Sequence, residues 1–184
     1  VAVFGAGGKM GFRVTRKLHE AGYDLRAVEI GDAGKARLAE AGIAAVDAET
    51  GLLGAEVVVL ALPDNVIGKV TAEIAPRLTP GTMVLILDAA APFADVLPKD
   101  RPDLTYFVGH PCHPPLYNDE TDMAARRDYH GGVARQAIVC ALMQGPEEHY
   151  ALGAEICAAM WSPVTKVHRV TTEQLAILEP GLSE

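Results

Sequence analysis

The sequence is poor in cysteine and in aromatic residues. Its 184 residues include three cysteines and one tryptophan, and aromatic residues make up 5%. The cysteines, Cys112, Cys140 and Cys157, are odd in number and far apart along the chain. This spacing excludes the disulfide framework of a small secreted protein and indicates a reducing, cytoplasmic environment.

Long apolar runs and basic runs are also missing. No stretch approaches the roughly 20 apolar residues that cross a membrane, and no signal-peptide pattern is present. Sixteen basic residues against 24 acidic ones give a net charge of −8, so nucleic acid is excluded as a partner. The chain as a whole is 49% hydrophobic and 22% charged, which is typical of a globular protein with a core.

Two periodicities alternate along the chain. Continuous apolar runs such as "VAVFG" and "AEVVVLALP" predict buried strands, and amphipathic stretches such as "KMGFRVTRKLHEAG" predict helices between them. Strands without polar alternation, interleaved with helices, form a parallel sheet covered on both faces. We therefore expect an α/β fold with a Rossmann-type doubly wound, mostly parallel sheet. An irregular segment over 111–132 and a further β-α-β unit ("AIVCALM", "EEHYALGAEICAAMW", "VTKVHRV") follow.

The two ends predict that the chain is a piece of a longer protein. The first residues already lie in a strand, and "TTEQLAILEPGLSE" begins a helix with capping-box spacing at Thr171 and Gln174. Leu175 and Leu178 stand one turn apart behind the cap, and Pro180 should end or kink the helix. We expect one domain over 1–170 and, over 171–184, the start of a helix linking to a missing helical C-terminal domain.

The glycine-rich turn "GAGGKMG" follows the first strand and opens the first helix. Gly5, Gly8 and Gly11 make a G-x-x-G-x-x-G pattern, which lets a dinucleotide pyrophosphate approach the backbone and the helix N-terminus. The alternative is a glycine turn that only joins strand to helix.

Glu29 closes the second strand, where an acidic side chain binds the adenine-ribose hydroxyls of a dinucleotide. A carboxylate there repels a 2′-phosphate, and the residues after it, "IGDAG", contain no arginine. Residues 1–170 are therefore predicted to bind NAD rather than NADP. The alternative is a solvated glutamate at a strand end.

The stretch "ALPD" ends the fourth strand, beside the expected nicotinamide. The backbone near Leu62 could contact the cofactor, while Asp64 or Asn65 could cap the next helix.

The stretch "YFVGHPCHPPLYNDE" places His110 and His113 at a third strand end. Hydride transfer from an alcohol to NAD needs a base, and a neutral imidazole suits that task. Prolines after both histidines favour extended backbone, and in a polyproline II segment residues 110 and 113 lie on one side. The pair could move a proton, hold a metal ion or do both. Alternatively, each histidine is a buried hydrogen-bonding residue, and Cys112 is a packing residue.

A metal site would need a third ligand, for which four residues are candidates: Glu179, Glu173, Asp119 and His130. A substrate carboxylate could be held by Arg135, His168 or Arg169, unless these are ordinary surface residues.

The motifs "GAGGKMG" and "LALPD" resemble those of the 6-phosphogluconate, β-hydroxyacid and prephenate dehydrogenases and the ketol-acid reductoisomerases. "GHP" is similar to the histidine-proline motif of prephenate dehydrogenases. "LDAAAPFADVLP", "FVGHPCHPPLYNDET" and the stretch from "ALMQGPEEHY" to the end more specifically resemble the D-apionate oxidoisomerase family.

This resemblance implies an NAD-dependent enzyme that converts D-apionate, a branched sugar acid, to 3-oxo-isoapionate. It implies His110 in the catalytic pocket and, with Glu179, as a ligand of a divalent ion (zinc or magnesium) that assists isomerisation. It also implies a homodimer formed through the helical C-terminal domain. The cofactor-binding residues that it implies are Gly8, Lys9, Met10, Glu29 and Asp64.

Two alternatives to the oxidoisomerase remain open. One is a plain prephenate- or β-hydroxyacid-type dehydrogenase with His110 as base and no metal. The other is a non-catalytic NAD-binding sensor domain.

Overall fold

A computed structural model describes residues 1–112, 121–127 and 133–182, with side chains described as far as residue 178. Eight strands form its sheet: β1 (Ala2–Phe4), β2 (Arg26–Val28), β3 (Ala45–Val46), β4 (Val57–Leu60), β5 (Met83–Ile86), β6 (Thr105–Pro111), β7 (Gln136–Gln144) and β8 (Val164–Arg169). The α-helices of this part are α1 (Lys9–Glu20), α2 (Asp32–Glu40), α3 (Ala48–Leu52), α4 (Asp64–Ile74), α5 (Ala90–Phe93), α6 (Met123–Arg126), α7 (His149–Met160) and α8 (Thr172–Leu182).

The strands are arranged in the order β3-β2-β1-β4-β5-β6-β7-β8. The first six are mutually parallel, as the continuous apolar runs predict. β7 reverses direction against β6, with His110 opposite Val139, and β8 runs parallel to β7. The Rossmann-type fold and the added β-α-β unit were predicted, whereas the reversal at β7 was not.

Helices cover both faces of the sheet. On one face α1, α2 and α7 bury Val14, Leu18 and Ile156 against inward residues of the strands. On the other face α3 and α4 pack through side chains such as Leu52 and Ile67. Every residue of β4 and β5 is buried, which explains why these strands show no polar alternation. Within the described residues no helix is long and apolar enough to span a bilayer.

The capping box of α8 forms as predicted. The backbone N–H of Gln174 donates to Thr171 Oγ1 at 3.2 Å, and the Thr171 N–H donates to Gln174 Oε1 at 2.9 Å. Leu175 is fully buried against Val108 and Val139, so α8 packs on the sheet. The helix continues to Leu182, so it does not end at Pro180, while a kink there stays a prediction.

Candidate functional site at the carboxyl edge of the sheet

The carboxyl ends of the parallel strands meet at one edge, where ligands bind in folds of this type. The chain crosses from β3 at the outside of the sheet to β4 beside β1, so the loops after β1 and β4 flank a crevice. The loops after β5 and β6 extend the same edge. The predicted cofactor residues and His110 all belong to this edge.

The glycine turn has its shape because two of its glycines leave no room for a side chain. Gly5 has a φ of 73°, and a Cβ there would lie 2.5 Å from the Ala61 carbonyl oxygen. A Cβ on Gly11 would lie 1.9 Å from the Gly5 carbonyl oxygen. Gly5 therefore allows the turn to pass close to β4, and Gly11 allows α1 to start directly behind it.

The backbone donors within the turn are already bonded to the protein. The N–H groups of Gly5 and Ala6 donate to the Val28 carbonyl at 3.0 and 3.1 Å, and the Gly8 N–H donates to Gly5 at 2.9 Å. Gly8 is the N-cap of α1 and supplies no capping side chain. The N–H groups of Lys9 and Met10, in the first turn of α1, have no partner within the helix, so they are the donors suited to an anion here.

Glu29 lies directly after β2 and reaches across to the glycine turn. Its Oε2 accepts a hydrogen bond from the Gly7 N–H at 2.8 Å. Its Oε1 accepts from the N–H groups of Ile30 and Gly31 at 2.9 and 2.8 Å. An ionised carboxylate has about four acceptor positions, so capacity for a ribose hydroxyl remains. The reading of Glu29 as a solvated strand-end residue does not describe this network.

The end of β4 borders the same turn. A Cβ on Gly5 would lie 2.9 Å from Leu62 Cδ2, so the Leu62 side chain lies over the glycine turn. The N-cap of α4 is Pro63, and Asp64 is the first helical residue. The capping role considered for Asp64 or Asn65 is therefore wrong, because proline occupies the cap position.

The Asp64 carboxyl instead interacts electrostatically with Asp88, after β5, and with His110, near the end of β6. Burial is the main cause that raises the pKa of the Asp64 carboxyl, and the Asp88 charge adds to it. His110 acts in the opposite direction on that pKa. Two carboxylates and an imidazole thus interact at the part of the edge beyond the glycine turn.

His110 is half-buried near the end of β6, on the same face of the sheet as Val108. Its Nδ1 lies 2.9 Å from the Leu87 carbonyl oxygen. A carbonyl only accepts, so Nδ1 carries the proton, and in the neutral ring Nε2 is the basic nitrogen. The fold therefore fixes both the orientation and the tautomer of this imidazole.

Several predicted ligands lie outside the described residues. His113, Asp119 and His130 fall there entirely, and for Glu179 only the helical backbone is described. Glu173 lines a cavity of about 670 Å³ together with Leu142 and Met143. These two residues lie toward the C-terminal end of β7, whereas His110 pairs with Val139, nearer the start of that strand. In the described part of the chain, no three His, Cys, Asp or Glu side chains group as metal ligands.

Among the basic side chains considered for a substrate carboxylate, Arg135 adjoins this edge directly before β7, whereas Arg169 ends β8. Arg169 pairs with the Glu147 carboxylate through both terminal nitrogens, and its guanidinium carbon lies 4.2 Å from the centre of the Tyr150 ring. This pairing explains Arg169 as a surface residue that fastens β8 to α7. Arg135 and His168 are exposed.

Cys112 is half-buried and packs with Ala89 and Val108, and burial raises the pKa of its thiol. A raised pKa disfavours the thiolate, so packing describes Cys112 better than nucleophilic chemistry does.

Gly7 and Arg37 are residues at this edge that the sequence did not reveal. Asp88 follows the apolar run of β5 directly, at a strand end that the sequence predicts beside the nicotinamide. Arg37 carried no signal, since its contact with the glycine turn spans 30 positions.

Comparison with known proteins gives the family. Residues 1–92 match the model described as NADP oxidoreductase, coenzyme F420-dependent, and residues 118–184 match the phosphogluconate dehydrogenase (decarboxylating) C-terminal model. The whole chain is 60% identical to the D-apionate oxidoisomerase of Rhizobium rhizogenes and covers 67% of that protein. The chain belongs to the D-apionate oxidoisomerase family.

Other members agree with this assignment. The whole chain is 55% identical to the D-apionate oxidoisomerase of Cupriavidus necator and covers 67% of it. It is also similar to a solved semialdehyde dehydrogenase NAD-binding protein from the same species, in complex with calcium and NAD. That match has 56% identity and a TM-score of 0.94, with 100% of this chain and 67% of the other covered. The predicted family and fold are both confirmed.

Proposed function

We propose that this member of the D-apionate oxidoisomerase family is an NAD-dependent oxidoreductase acting on a hydroxyl of a branched sugar acid. The proposal includes the rearrangement of D-apionate to 3-oxo-isoapionate. The observation that carries it is the placing of His110 Nε2, a basic nitrogen of fixed tautomer, at the same edge as the N-terminus of α1.

The residues at the glycine turn fit a dinucleotide. The N–H groups of Lys9 and Met10 would receive the pyrophosphate, while Gly5, Gly8 and Gly11 keep the backbone close to it. Leu62 would border the cofactor from the β4 side, and Asp64 from the start of α4. Although one matching family model carries NADP in its description, Glu29 and the acidic turn after it favour NAD, because a carboxylate repels a 2′-phosphate.

His110 would act as the general base. When bound, NAD supplies the acceptor for the hydride that leaves the carbinol carbon. Nε2 of His110 takes the hydroxyl proton while Nδ1–H stays bonded to the Leu87 carbonyl. The ring accepts this proton without turning, since the Leu87 bond is the same in the neutral and the charged imidazole. His113, the second proposed catalytic residue, would act beside it.

A divalent ion held by His110 and Glu179 stays a prediction. The Leu87 carbonyl takes the Nδ1 proton of His110 and leaves Nε2 available, which is how a metal-binding histidine is commonly held. The side chain of Glu179 lies outside the described residues. Because Nε2 can also take a hydroxyl proton without an ion, the same geometry supports a second candidate function, a plain hydroxy-acid dehydrogenase with His110 as the base.

One assay separates these candidates. The purified protein is incubated with NAD and a panel of hydroxy acids that includes D-apionate, with and without a chelator, while NADH and the carbon skeleton of the product are followed. We expect NADH and rearranged product from D-apionate. NADH with an unrearranged product, unaffected by chelator, would establish the plain dehydrogenase. NADH binding without turnover of any acid would contradict both and leave the sensor domain.

The proposal extends to the location, the assembly and the domain boundary of the protein. Three free cysteines support a cytoplasmic location. A homodimer, implied by the family resemblance, would cover the exposed side chains of Ile177 and Leu178 on α8. The boundary between a domain over 1–170 and a linking helix over 171–184 belongs to the same proposal. Because the dimer is predicted to form through the helical C-terminal domain, light scattering of the full-length protein tests it, and a monomer mass there would refute it.

A further inference from the structure

Gly7, the one glycine of the turn that the G-x-x-G-x-x-G pattern leaves out, is held from two sides. Its N–H donates to Glu29 Oε2 at 2.8 Å. Its carbonyl accepts a hydrogen bond from Nη1 of Arg37, on α2. Gly7 is buried, so both backbone polar groups of this residue are satisfied by side chains distant in sequence.

The approach of α2 to the turn depends on two small residues. A Cβ on Gly7 would lie 2.4 Å from the Gly34 Cα, and a Cβ on Gly34 would lie 2.6 Å from Glu29 Cδ. Gly34 and Arg37 are three residues apart on α2, hence on one face of the helix. The contact that brings Gly34 onto Gly7 therefore brings the Arg37 guanidinium within reach of the Gly7 carbonyl.

This arrangement has a consequence for anion binding. A carbonyl oxygen turned toward α2 does not face an anion at the N-terminus of α1. The guanidinium carries a positive charge, so the bond is charge-assisted. With the turn fixed in this way, less ordering remains to be done when the ligand binds.

We infer that Arg37 is a positioning residue for the dinucleotide, acting through the Gly7 carbonyl rather than by touching the cofactor. The inference rests on the proposed NAD binding and adds a residue to it. Arg37, Glu29 and Gly34 together form the Gly7 clamp, which shapes the glycine turn before the pyrophosphate arrives.

The test compares Arg37→Met with Arg37→Lys and with Arg16→Met. Arg16 lies on α1, where its exposed side chain pairs with Glu20, so its replacement removes the same charge without touching the turn. Losing one charge-assisted hydrogen bond should weaken NADH binding about tenfold. Arg37→Lys keeps a donor and should recover most of that loss, and Arg16→Met should bind NADH as the unaltered protein does. The measurements are fluorescence titration with NADH and thermal unfolding.

A second ligand separates positioning from general damage. Adenosine has no pyrophosphate, so its dissociation constant, measured by competition with NADH, should be the same for Arg37→Met as for the unaltered protein. The melting temperature of Arg37→Met should match that of Arg16→Met. Equal NADH affinity in Arg37→Met and the unaltered protein would overturn the inference. So would parallel losses of NADH affinity, adenosine affinity and melting temperature that Arg37→Lys does not restore. Failure of the unaltered protein to bind NADH would instead overturn the proposed function.

Discussion

The carboxyl edge of the sheet has two halves built by different means. In the half formed by β1 and β2, glycines and backbone N–H groups fix a turn, and the carboxylate of Glu29 joins its pieces. In the half formed by β5 and β6, side-chain charges interact, and His110 donates from Nδ1 to the Leu87 carbonyl. Shape dominates the first half and protonation the second, so substitutions in the two halves should fail in different assays.

The largest effect is expected from His110→Gln, which removes the proposed base and leaves the glycine turn intact. We expect kcat to fall by about 10²–10⁴-fold with NADH affinity unchanged. Steady-state kinetics and a binding titration measure the two quantities. His19→Gln, on the exposed side of α1, is the control. Full activity of His110→Gln would show that His110 is not the general base.

A comparable loss, seen in binding instead, is expected from Gly5→Ala. Gly5 and Gly54 have φ angles of 73° and 63°, yet a Cβ on Gly54 would meet nothing within 4 Å. Both substitutions carry the left-handed penalty of about 1–2 kcal/mol, and only Gly5→Ala adds the clash with Ala61. NADH affinity should therefore fall only in Gly5→Ala, by roughly 100-fold, or about 2.7 kcal/mol. Equal affinities in the two variants would show that the turn tolerates a side chain.

A smaller effect with a diagnostic pattern is expected from Glu29→Ala. The change removes the acceptor of three backbone N–H groups. Of these donors only that of Gly7 belongs to a buried residue, and leaving a buried donor unpaired costs about 1–3 kcal/mol of stability. NADH affinity should fall about tenfold without a matching gain for NADPH, because the turn itself loosens. Titrations with both cofactors decide this. Tight NADPH binding by the variant would show that Glu29 only repels the 2′-phosphate and does not hold the turn in shape.

The smallest effect is a pH-dependent stability change in Asp64→Asn. A carboxyl whose pKa is raised on folding binds its proton more tightly in the folded state, so its ionisation costs stability above that raised pKa. The cost is absent below the unfolded pKa of about 3.9. Asp64→Asn should therefore melt slightly higher than the unaltered protein at neutral pH and equally at acidic pH. Asp24→Asn, in an exposed turn, controls for net charge, and a gain that persists at acidic pH would exclude this origin.

The sequence predicted the half built by shape better than the half built by charge. The spacing of Gly5, Gly8 and Gly11 and the position of Glu29 are local patterns that follow from the needs of a single turn. The Thr171–Gln174 capping box is local in the same way and was predicted correctly. A structure formed by residues close together in the chain requires particular residue types at fixed spacing, so it can be predicted from the sequence.

What was missed depends on contacts between distant segments. The pairing of Arg169 with Glu147 removed a candidate substrate ligand, and Pro63 took the cap position considered for Asp64. The bond from Arg37 to Gly7 and the reversal of β7 leave no periodic trace, because they arise only when the whole sheet assembles. The oxidoisomerase family was inferred from motif resemblance, which carries information that periodicity does not.

The reversal of β7 divides the chain in a way that bears on engineering. Because β7 runs against β6, the connection between them both leaves and re-enters the sheet at the carboxyl edge, from Pro111 to Gln136. The nucleotide-binding half contributes no residue to that connection. A chimera that takes residues 112–135 from a relative should therefore keep its NADH affinity, because the residues proposed to hold the dinucleotide all lie within residues 1–92.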